Sequence, residues 1–285
     1  MIDRQYDRGS LCDRQTGTEP ARRATLTERV LQQLRRHGQY VFLPLVLLLT
    51  LLVWEGIVHL GGYPPFILPG PANVYAKLVS TLREGLLWRH TRITLSEIGG
   101  GLVLGLSTAT VLGYAMAKSH TLERFLAPYV VASQSIPIVA LAPLLVIWFG
   151  TGRLSKVLVC ALTIFFPMLV NTIVGVRSVD PDLVALMRSL QATRWQAFAM
   201  LEVPSALPVL LGGLKVSVTL SVIGAVVGEF VAADRGLGFL INVARGNFDT
   251  PLMFVALLAL VTIALLLYLV VALMENMLLR RRRGR

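Results

Sequence analysis

Three ionisable residues stand inside long apolar segments of this chain: Glu97, Lys215 and Glu229. Such residues cost roughly 2.5–3.5 kcal/mol on membrane-insertion scales and usually face the interior of a helix bundle, where they can contact a polar solute. Glu229 could line an outer gate or pair with Arg235. Lys215 could snorkel to the interface or hold a backbone carbonyl. Glu97 could turn toward Arg92 or into the bundle.

Neutral polar residues and prolines add candidates for a solute pathway. Prolines interrupt the backbone hydrogen bonds of the third and fourth apolar segments, at positions 128, 137, 143 and 167. Such breaks are tolerated at membrane depth where the backbone is buried in protein or lines a cavity. The third apolar segment is therefore the first candidate for lining a pathway. The predicted pathway residues are Gln134, Ser135, Asn171 and Glu229.

The sequence lacks the motifs of common catalytic sites. It contains no G-x-x-x-x-G-K-[ST] phosphate loop, no H-E-x-x-H and no G-x-S-x-G. The four histidines are scattered, and the two cysteines, Cys12 and Cys160, suggest neither a disulfide nor a metal site. We therefore expect no enzyme activity and no cofactor in this chain. If transport is active, the energy must come from a partner protein.

Six apolar segments dominate the chain. Hydrophobic residues make up 55% of it and the mean hydropathy is +0.68, far from the composition of a soluble domain. The alternative, buried helices of a large soluble core, is disfavoured because soluble helices seldom stay free of charge over the roughly 20 residues that cross a bilayer. We predict an all-α integral membrane protein with six transmembrane helices, at residues 41–60, 93–117, 125–150, 157–176, 205–233 and 252–274.

The basic residues predict the orientation of these helices. With six spans both termini face one side, whose segments carry 18 Lys and Arg against 8 on the opposite side. The positive-inside rule therefore places both termini and the 177–203 segment in the cytoplasm. An interfacial helix over residues 71–87 would explain the basic loop before the second span. The net charge of +11 is then explained by basic residues that set the orientation and contact anionic lipid, and it does not imply nucleic-acid binding.

Three regions follow from this pattern. Residues 1–39 are polar and predict a disordered cytoplasmic tail, in which residues 27–36 could form a surface helix. Residues 40–276 form the transmembrane domain, and residues 277–285 a basic cytoplasmic tail. We expect no signal peptide, because the first apolar run starts late and lacks a small-residue cleavage site.

The polar segment 178–204 predicts a helical hairpin. Asp180 can cap a first helix, which then presents an apolar face at i, i+3, i+4 and i+7. Thr193 and Gln196 form a capping box that starts a second helix, and Pro204 is expected to stop it. The hairpin could dock onto another protein or pack under its own bundle. The apolar face comprises Leu183, Leu186, Met187 and Leu190, and the expected buried side of the second helix comprises Trp195, Phe198 and Ala199.

The hairpin resembles the cytoplasmic coupling loop of ABC importer permeases. That family's pattern is Glu-Ala-Ala, three residues, Gly, nine residues, then Ile-x-Leu-Pro. This chain has Ala-Leu-Met at 185–187, Gln191 at the Gly and Leu-Glu-Val-Pro at 201–204, so the Glu and the Gly are missing. The Gly permits a left-handed turn, which Gln191 would adopt at a cost of ~1–2 kcal/mol.

Two further stretches resemble the nitrate, sulfonate and taurine permease group. Residues 135–150 are similar to its third helix, and Gly-Glu-Phe at 228–230 with Gly-Leu-Gly at 236–238 to the end of its fifth helix. The likeness runs in order from about residue 64 to the C-terminus. The runs at 188–190, 201–204 and 233–236 are more similar to the vitamin branch, which handles riboflavin or the thiamine pyrimidine.

The resemblance implies a type I ABC importer permease in a bacterial inner membrane. It implies a homodimer with two cytoplasmic ATPases, which bind ATP and Mg²⁺, and with an external substrate-binding protein. Riboflavin or another heteroaromatic vitamin precursor is favoured over sulfonate, taurine or nitrate; the alternatives are an ion-coupled secondary transporter and a channel-forming or structural membrane protein. The residues implied to contact the ATPase are Leu183, Leu186, Met187, Arg188, Leu190, Gln191, Arg194, Trp195 and Phe198.

Overall fold

The described part of the chain consists of helices joined by short turns, with no β-strand. The computed structural model describes the backbone of residues 26–283 and the side chains of residues 44–231 and 233–279. A π-helical turn at Phe198–Glu202 joins two of the α-helices. The α-helices are α1 (Leu26–Gly61), α2 (Pro71–Arg83), α3 (Leu86–Lys118), α4 (His120–Gln134), α5 (Ile138–Phe149), α6 (Arg153–Arg177), α7 (Pro181–Ser189), α8 (Arg194–Ala197), α9 (Val203–Ala232), α10 (Leu237–Gly246) and α11 (Thr250–Arg283).

The described residues up to Trp54 belong to one compact unit and those from Glu55 onward to a second. In the first unit, α1 begins at Leu26 and includes the predicted surface helix at 27–36. The remainder of the predicted N-terminal tail, residues 1–25, lies outside the described residues, and so do residues 284 and 285. The apolar stretch Pro44–Gly61 has a mean hydropathy of 1.8 and is long enough to cross a membrane.

The predicted spans are confirmed, with one change in the third. In the described part of the chain, five helices are long and apolar enough to cross a membrane. The predicted span 125–150 instead comprises α4 and α5, which meet at 97°. Pro137 explains the break, because proline lacks an N–H and its ring disfavours a helical conformation in the residue before it. Residues 26–283 therefore contain six candidate spans only if this bent pair counts as one.

The core of the second unit is built on α3, α6 and α9. Small buried residues recur every four positions along α3, at Gly101, Gly105, Ala109 and Gly113. A Cβ atom at Gly105 would lie 2.7 Å from the backbone oxygen of Ala161 and 2.6 Å from a side-chain carbon of Ile164. This stripe therefore lets the backbones of α3 and α6 approach closely, as small residues do between membrane helices.

The helices at the other end of the chain close the bundle. Helices α10 and α11 pack against α9, and α2 packs against α11. Lys77 of α2 pairs with Asp249 at 2.5 Å, and the Thr250 hydroxyl at the start of α11 donates to the Phe66 carbonyl at 2.5 Å. Helix α2 occupies most of the predicted interfacial segment 71–87.

Candidate functional site

The hairpin forms as the local sequence predicts. The Asp180 carboxylate accepts from the Asp182 N–H at 2.9 Å and caps α7. The Thr193 hydroxyl accepts from the Gln196 N–H at 3.3 Å, while the Gln196 side chain accepts from the Thr193 N–H at 2.7 Å. This reciprocal pair is the predicted capping box, and it starts α8.

Gln191 takes the left-handed conformation predicted for it, with φ of 52°. The Ala192 N–H bonds to the Met187 carbonyl at 3.0 Å and the Gln191 N–H to the Arg188 carbonyl at 2.9 Å. These two bonds form the helix ending in which a left-handed residue, usually glycine, reverses the chain. Gln191 thus adopts the left-handed conformation that the glycine of the resembled motif would adopt, at the cost of backbone strain.

The hairpin presents a broad apolar face to its surroundings. The exposed fractions are 44% for Leu183, 52% for Leu186, 68% for Leu190 and 73% for Trp195. Contiguous apolar surface of this sort marks an interaction site more often than scattered single residues do. Trp195 and Ala199, expected on the buried side of the second helix, are in fact exposed.

The other residues predicted to contact the ATPase fall into an exposed group and a half-buried group. Arg188, Gln191 and Arg194 are exposed beside the apolar face, whereas Met187 and Phe198 are half-buried. Met187, Arg188 and Arg194 also line a cavity of about 550 Å³ between the hairpin and the end of α3. The face that a partner could contact is therefore formed by the leucines, Trp195 and the two arginines.

Pro204 does not stop the second helix of the hairpin, so that prediction was wrong. The helix continues from Arg194 to Val231 as one apolar rod with the π-helical turn near its start. Pro204 lies in the first turn of α9, directly after that turn. Proline is tolerated there because the first turn of an α-helix needs no N–H donor from it, and the wider π turn accommodates the change of register. The hairpin is thus continuous with the fifth span.

Glu202, the last residue of the π turn, joins this rod to α3. Its Oε2 atom accepts from the Tyr114 hydroxyl at 3.0 Å, and its Oε1 atom accepts from the Lys118 ammonium group. The Glu202 side chain is only 12% exposed. These contacts could not be predicted from the sequence, because Glu202 stands at the variable position of the resembled motif and Lys118 reads there as one of the basic residues that set orientation.

Aromatic rings continue this connection toward the exposed face. The Tyr114 ring meets the Phe198 ring edge-on at 5.4 Å between centroids. Phe198 in turn lies 5.4 Å from Trp195. The Lys118 ammonium lies 5.8 Å from the centre of the Tyr114 ring. A continuous set of contacts therefore runs from exposed Trp195 to the end of α3.

Glu229 lies at the opposite end of the bundle, buried and bonded. Its carboxylate accepts from the Thr94 hydroxyl at 2.6 Å and from the Gly238 N–H at 2.5 Å. Thr94 also accepts from the Leu237 N–H at 2.9 Å. Arg235 pairs instead with its neighbour Asp234, at 3.6 Å. Both Glu229 oxygens act as acceptors, so the side chain joins α9, α3 and the start of α10.

Gly236 and Gly238 allow the chain to wrap around this carboxylate. Gly236 has φ of 119°, and a Cβ atom there would lie 2.2 Å from Cδ of Glu229. The His90 ring nitrogen Nδ1 lies 2.9 Å from the Gly236 carbonyl oxygen and 3.0 Å from its nitrogen. This explains the Gly-Leu-Gly run that the sequence analysis singled out.

Glu97 turns into the bundle, one of the two orientations considered for it. The side chain is fully buried, and Oε1 lies 3.7 Å from Nζ of Lys156, itself 4% exposed. Neither Glu97 oxygen has a hydrogen-bond donor among the described residues. Lys156 was not predicted as a partner of Glu97, because it directly precedes an uncharged span and counts there only as a basic residue of the loop.

The structure does not gather the four predicted pathway residues at one point. Gln134 and Ser135 are exposed at the bend between α4 and α5. The Asn171 side chain donates to the Pro167 carbonyl at 2.8 Å and lies against Gly213 of α9. Glu229 is in the buried cluster just described. Lys215, also singled out in the sequence, pairs with Glu275 of α11 rather than with a backbone carbonyl.

Comparison with known proteins identifies relatives along most of the chain. The family described as "Binding-protein-dependent transport system inner membrane component" matches residues 101–284. The chain is 49% identical over 238 residues to the riboflavin transport system permease protein of Chloroflexus aurantiacus, covering 84% of this chain and 89% of that one. It is 37% identical to the formylaminopyrimidine transport permease protein of Halalkalibacterium halodurans, covering 86% and 98%.

A more distant relative and a solved structure agree with these matches. Identity to the taurine transport system permease protein of Escherichia coli is 33%, covering 79% of this chain and 83% of that one. The fold is similar to a chain of the inward-facing MetNI methionine ABC transporter, with a TM-score of 0.57, 20% identity and coverage of 70% and 97%. This similarity supports the fold, including the type I importer architecture expected from the sequence.

Proposed function

Because this chain belongs to the binding-protein-dependent transport system inner membrane component family, we propose that it carries a heteroaromatic vitamin or vitamin precursor, with riboflavin the favoured solute. Membership makes it a multi-pass inner-membrane permease of an ABC importer, a family whose members work with an ATPase and a substrate-binding protein. The alternative of an ion-coupled secondary transporter is thereby set aside, since nothing in the comparisons supports it.

The choice of solute is supported by the order of sequence identity to permeases of named solutes. Identity is 49% to a riboflavin permease, 37% to a formylaminopyrimidine permease and 33% to a taurine permease, over similar shares of the chain. Riboflavin and the pyrimidine are both heteroaromatic, so the two higher values point to the same chemical class. This ranking supports a planar, nitrogen-containing ring as the cargo ahead of a small sulfonate.

The hairpin is proposed as the docking site of the ATPase. Its apolar face would fill a groove of that subunit, with Trp195 as the central anchor and Arg188 and Arg194 at the rim. Two copies of the chain would form the pathway between them, with both termini and the hairpin in the cytoplasm. ATP-driven closure of the two ATPases would tilt the hairpins and switch the pathway from outward to inward access.

The pathway itself is proposed to run past the bend between α4 and α5. Gln134 and Ser135 are polar and exposed there in the single chain, which suits a surface between two copies. Asn171 lies at the contact of α6 with α9. Glu229 is buried, so its proposed contribution to the pathway is through the position of α9, which it bonds to α3.

Uptake of labelled solute tests the proposal. The permease, its ATPase and its binding protein are produced together in cells that cannot synthesise riboflavin. We expect ATP-dependent uptake of labelled riboflavin and growth on external riboflavin, both lost when the permease gene is deleted. Uptake of labelled taurine under the same conditions, with none of riboflavin or formylaminopyrimidine, would reject the proposed solute class.

A further inference from the structure

The second helix of the hairpin and the fifth span form one continuous helix, Arg194–Val231. A displacement of the hairpin therefore displaces α9 directly. Helix α3 touches this rod at the π-helical turn Phe198–Glu202. A π turn is uncommon in proteins and frequently occurs at functional sites. Its two ends contact one residue of α3: Phe198 packs on the Tyr114 ring, and Glu202 accepts from the Tyr114 hydroxyl.

We propose that Glu202, held by Tyr114 and Lys118, is the positioning residue that transmits movement of the hairpin to α3. Tyr114 and Lys118 are four residues apart on α3, one helical turn, and both donate to the same carboxylate. Because each Glu202 oxygen takes one donor, the carboxylate is held from two points. Hairpin, fifth span and α3 would then move as one body during transport.

The polar clamp, formed by Glu202, Tyr114 and Lys118, lies next to an apolar cavity. A cavity of about 290 Å³ lies between α3, α6 and the start of α9, lined by residues that include Val111, Val176, Val203 and Leu210. Beside this cavity, the bonds of Glu202 and the ring contact of Phe198 with Tyr114 join the π turn directly to α3, so displacement of the turn can pass to α3 through them.

The clamp borders the docking face but differs from it in burial. Trp195 and Leu190 are 73% and 68% exposed, while the Glu202 side chain is 12% exposed and faces α3. Loss of the clamp should therefore leave ATPase binding in place and weaken the link between ATP hydrolysis and transport. This inference rests on the proposed docking of an ATPase at the hairpin.

The test measures three quantities on the complete transporter in proteoliposomes: ATPase retained on purification, ATP hydrolysis stimulated by the loaded binding protein, and solute imported per ATP. For Glu202→Gln and Tyr114→Phe we expect normal ATPase retention and a fall in solute per ATP of about 5- to 10-fold.

Tyr114→Phe keeps the ring contact with Phe198 and is the milder change if Glu202→Gln folds poorly. Glu275→Gln, which removes a comparable ion pair between α9 and α11, should leave the ratio unchanged.

A charge exchange separates transmission from mere stability. The double variant Lys118→Glu with Glu202→Lys should recover a large part of the lost solute per ATP, since it restores the ion pair in reverse. Normal solute per ATP in Glu202→Gln and Tyr114→Phe would overturn the inference. Loss of ATPase retention in these variants would also overturn it, because Glu202 would then belong to the docking surface. If Trp195→Ala leaves retention and coupling intact, the proposed docking fails instead.

Discussion

The Thr94 hydroxyl on α3 donates a 2.6 Å hydrogen bond to the carboxylate of Glu229 on α9, 135 residues further along the chain. At the other end of α3, Tyr114 donates to Glu202, the last residue of the π turn that leads into α9. Helices α3 and α9 are thus joined by a carboxylate at each end. Between these bonds the two helices pack mainly through α6.

Replacing Glu229 by Gln should destabilise the protein. The amide oxygen can accept from the Gly238 N–H, but the amide nitrogen then faces the Thr94 hydroxyl, which must change from donor to acceptor while it already accepts from Leu237. We expect a loss of about 1–3 kcal/mol, seen as a lower midpoint in thermal unfolding of the detergent-solubilised protein. Asp234→Asn, at a side chain that is 80% exposed, is the control and should not shift the midpoint. Reduced uptake at an unchanged midpoint would instead favour a direct role for Glu229 in the pathway.

Adding a methyl group to the small-residue stripe of α3 should separate α3 from α6. In Gly105→Ala the new Cβ would lie 2.7 Å from a backbone oxygen, which cannot move without shifting α6. We expect a destabilisation of about 1–3 kcal/mol, measured as above. At Gly99 nothing lies within 4 Å of the added atom, so Gly99→Ala should keep or slightly raise the midpoint. Equal behaviour of the two variants would refute the close approach.

Gln191→Gly should make the hairpin more resistant to local opening. Glycine adopts the observed φ of 52° without the clash of a side chain, and the gain of ~1 kcal/mol corresponds to about fivefold slower amide hydrogen exchange in α7 and α8. Gln196→Gly is the contrasting control, because it breaks the capping box and should speed exchange. Faster exchange in Gln191→Gly would show that the turn does not strain the glutamine.

Trp195→Ala should leave the permease folded and remove the ATPase. The side chain is 73% exposed, so its loss costs the single chain little, whereas a central aromatic anchor can contribute about 2 kcal/mol or more to an interface. Less ATPase should co-purify, and stimulated ATP hydrolysis should fall. Trp148→Ala, 67% exposed on α5, serves as the matched control for the loss of an indole. Normal ATPase recovery in Trp195→Ala would exclude Trp195 as an anchor.

Cysteine labelling checks the proposed orientation. In a background with Cys12→Ser and Cys160→Ala, single cysteines are placed at Gly152, Gly246 and Ser189. Positions 152 and 246 have open space around an added side chain. A membrane-impermeant thiol reagent added outside should modify 152 and 246 and leave 189 untouched until the membrane is permeabilised. Outside labelling at 189 would place the hairpin outside the cytoplasm.

Structural features that depend on residues close together in the chain, such as spans, helix caps and turns, could be predicted from the sequence. The spans follow from the length of the apolar runs, because a membrane helix satisfies its backbone within itself. The caps at Asp180 and Thr193 and the left-handed Gln191 depend on bonds that reach five residues or fewer. Residues 228–230 and 236–238 were singled out as a pattern, although their partners could not be named.

Tertiary structure decided which distant side chains meet. Glu229 could equally have paired with Arg235, and only the packing of α3 against α9 placed Thr94 beside it. In the sequence, Lys156 and Lys118 are only two of the basic residues that predict orientation, whereas the folded bundle places Glu97 near the first and Glu202 near the second. Local rules predict that a helix ends at Pro204. The helix continues past it because the π turn precedes this proline and the following apolar helix is packed in the bundle. The physical reason is the same in each case: the free energy of a buried polar contact depends on the partner that packing brings, and sequence spacing does not encode that partner.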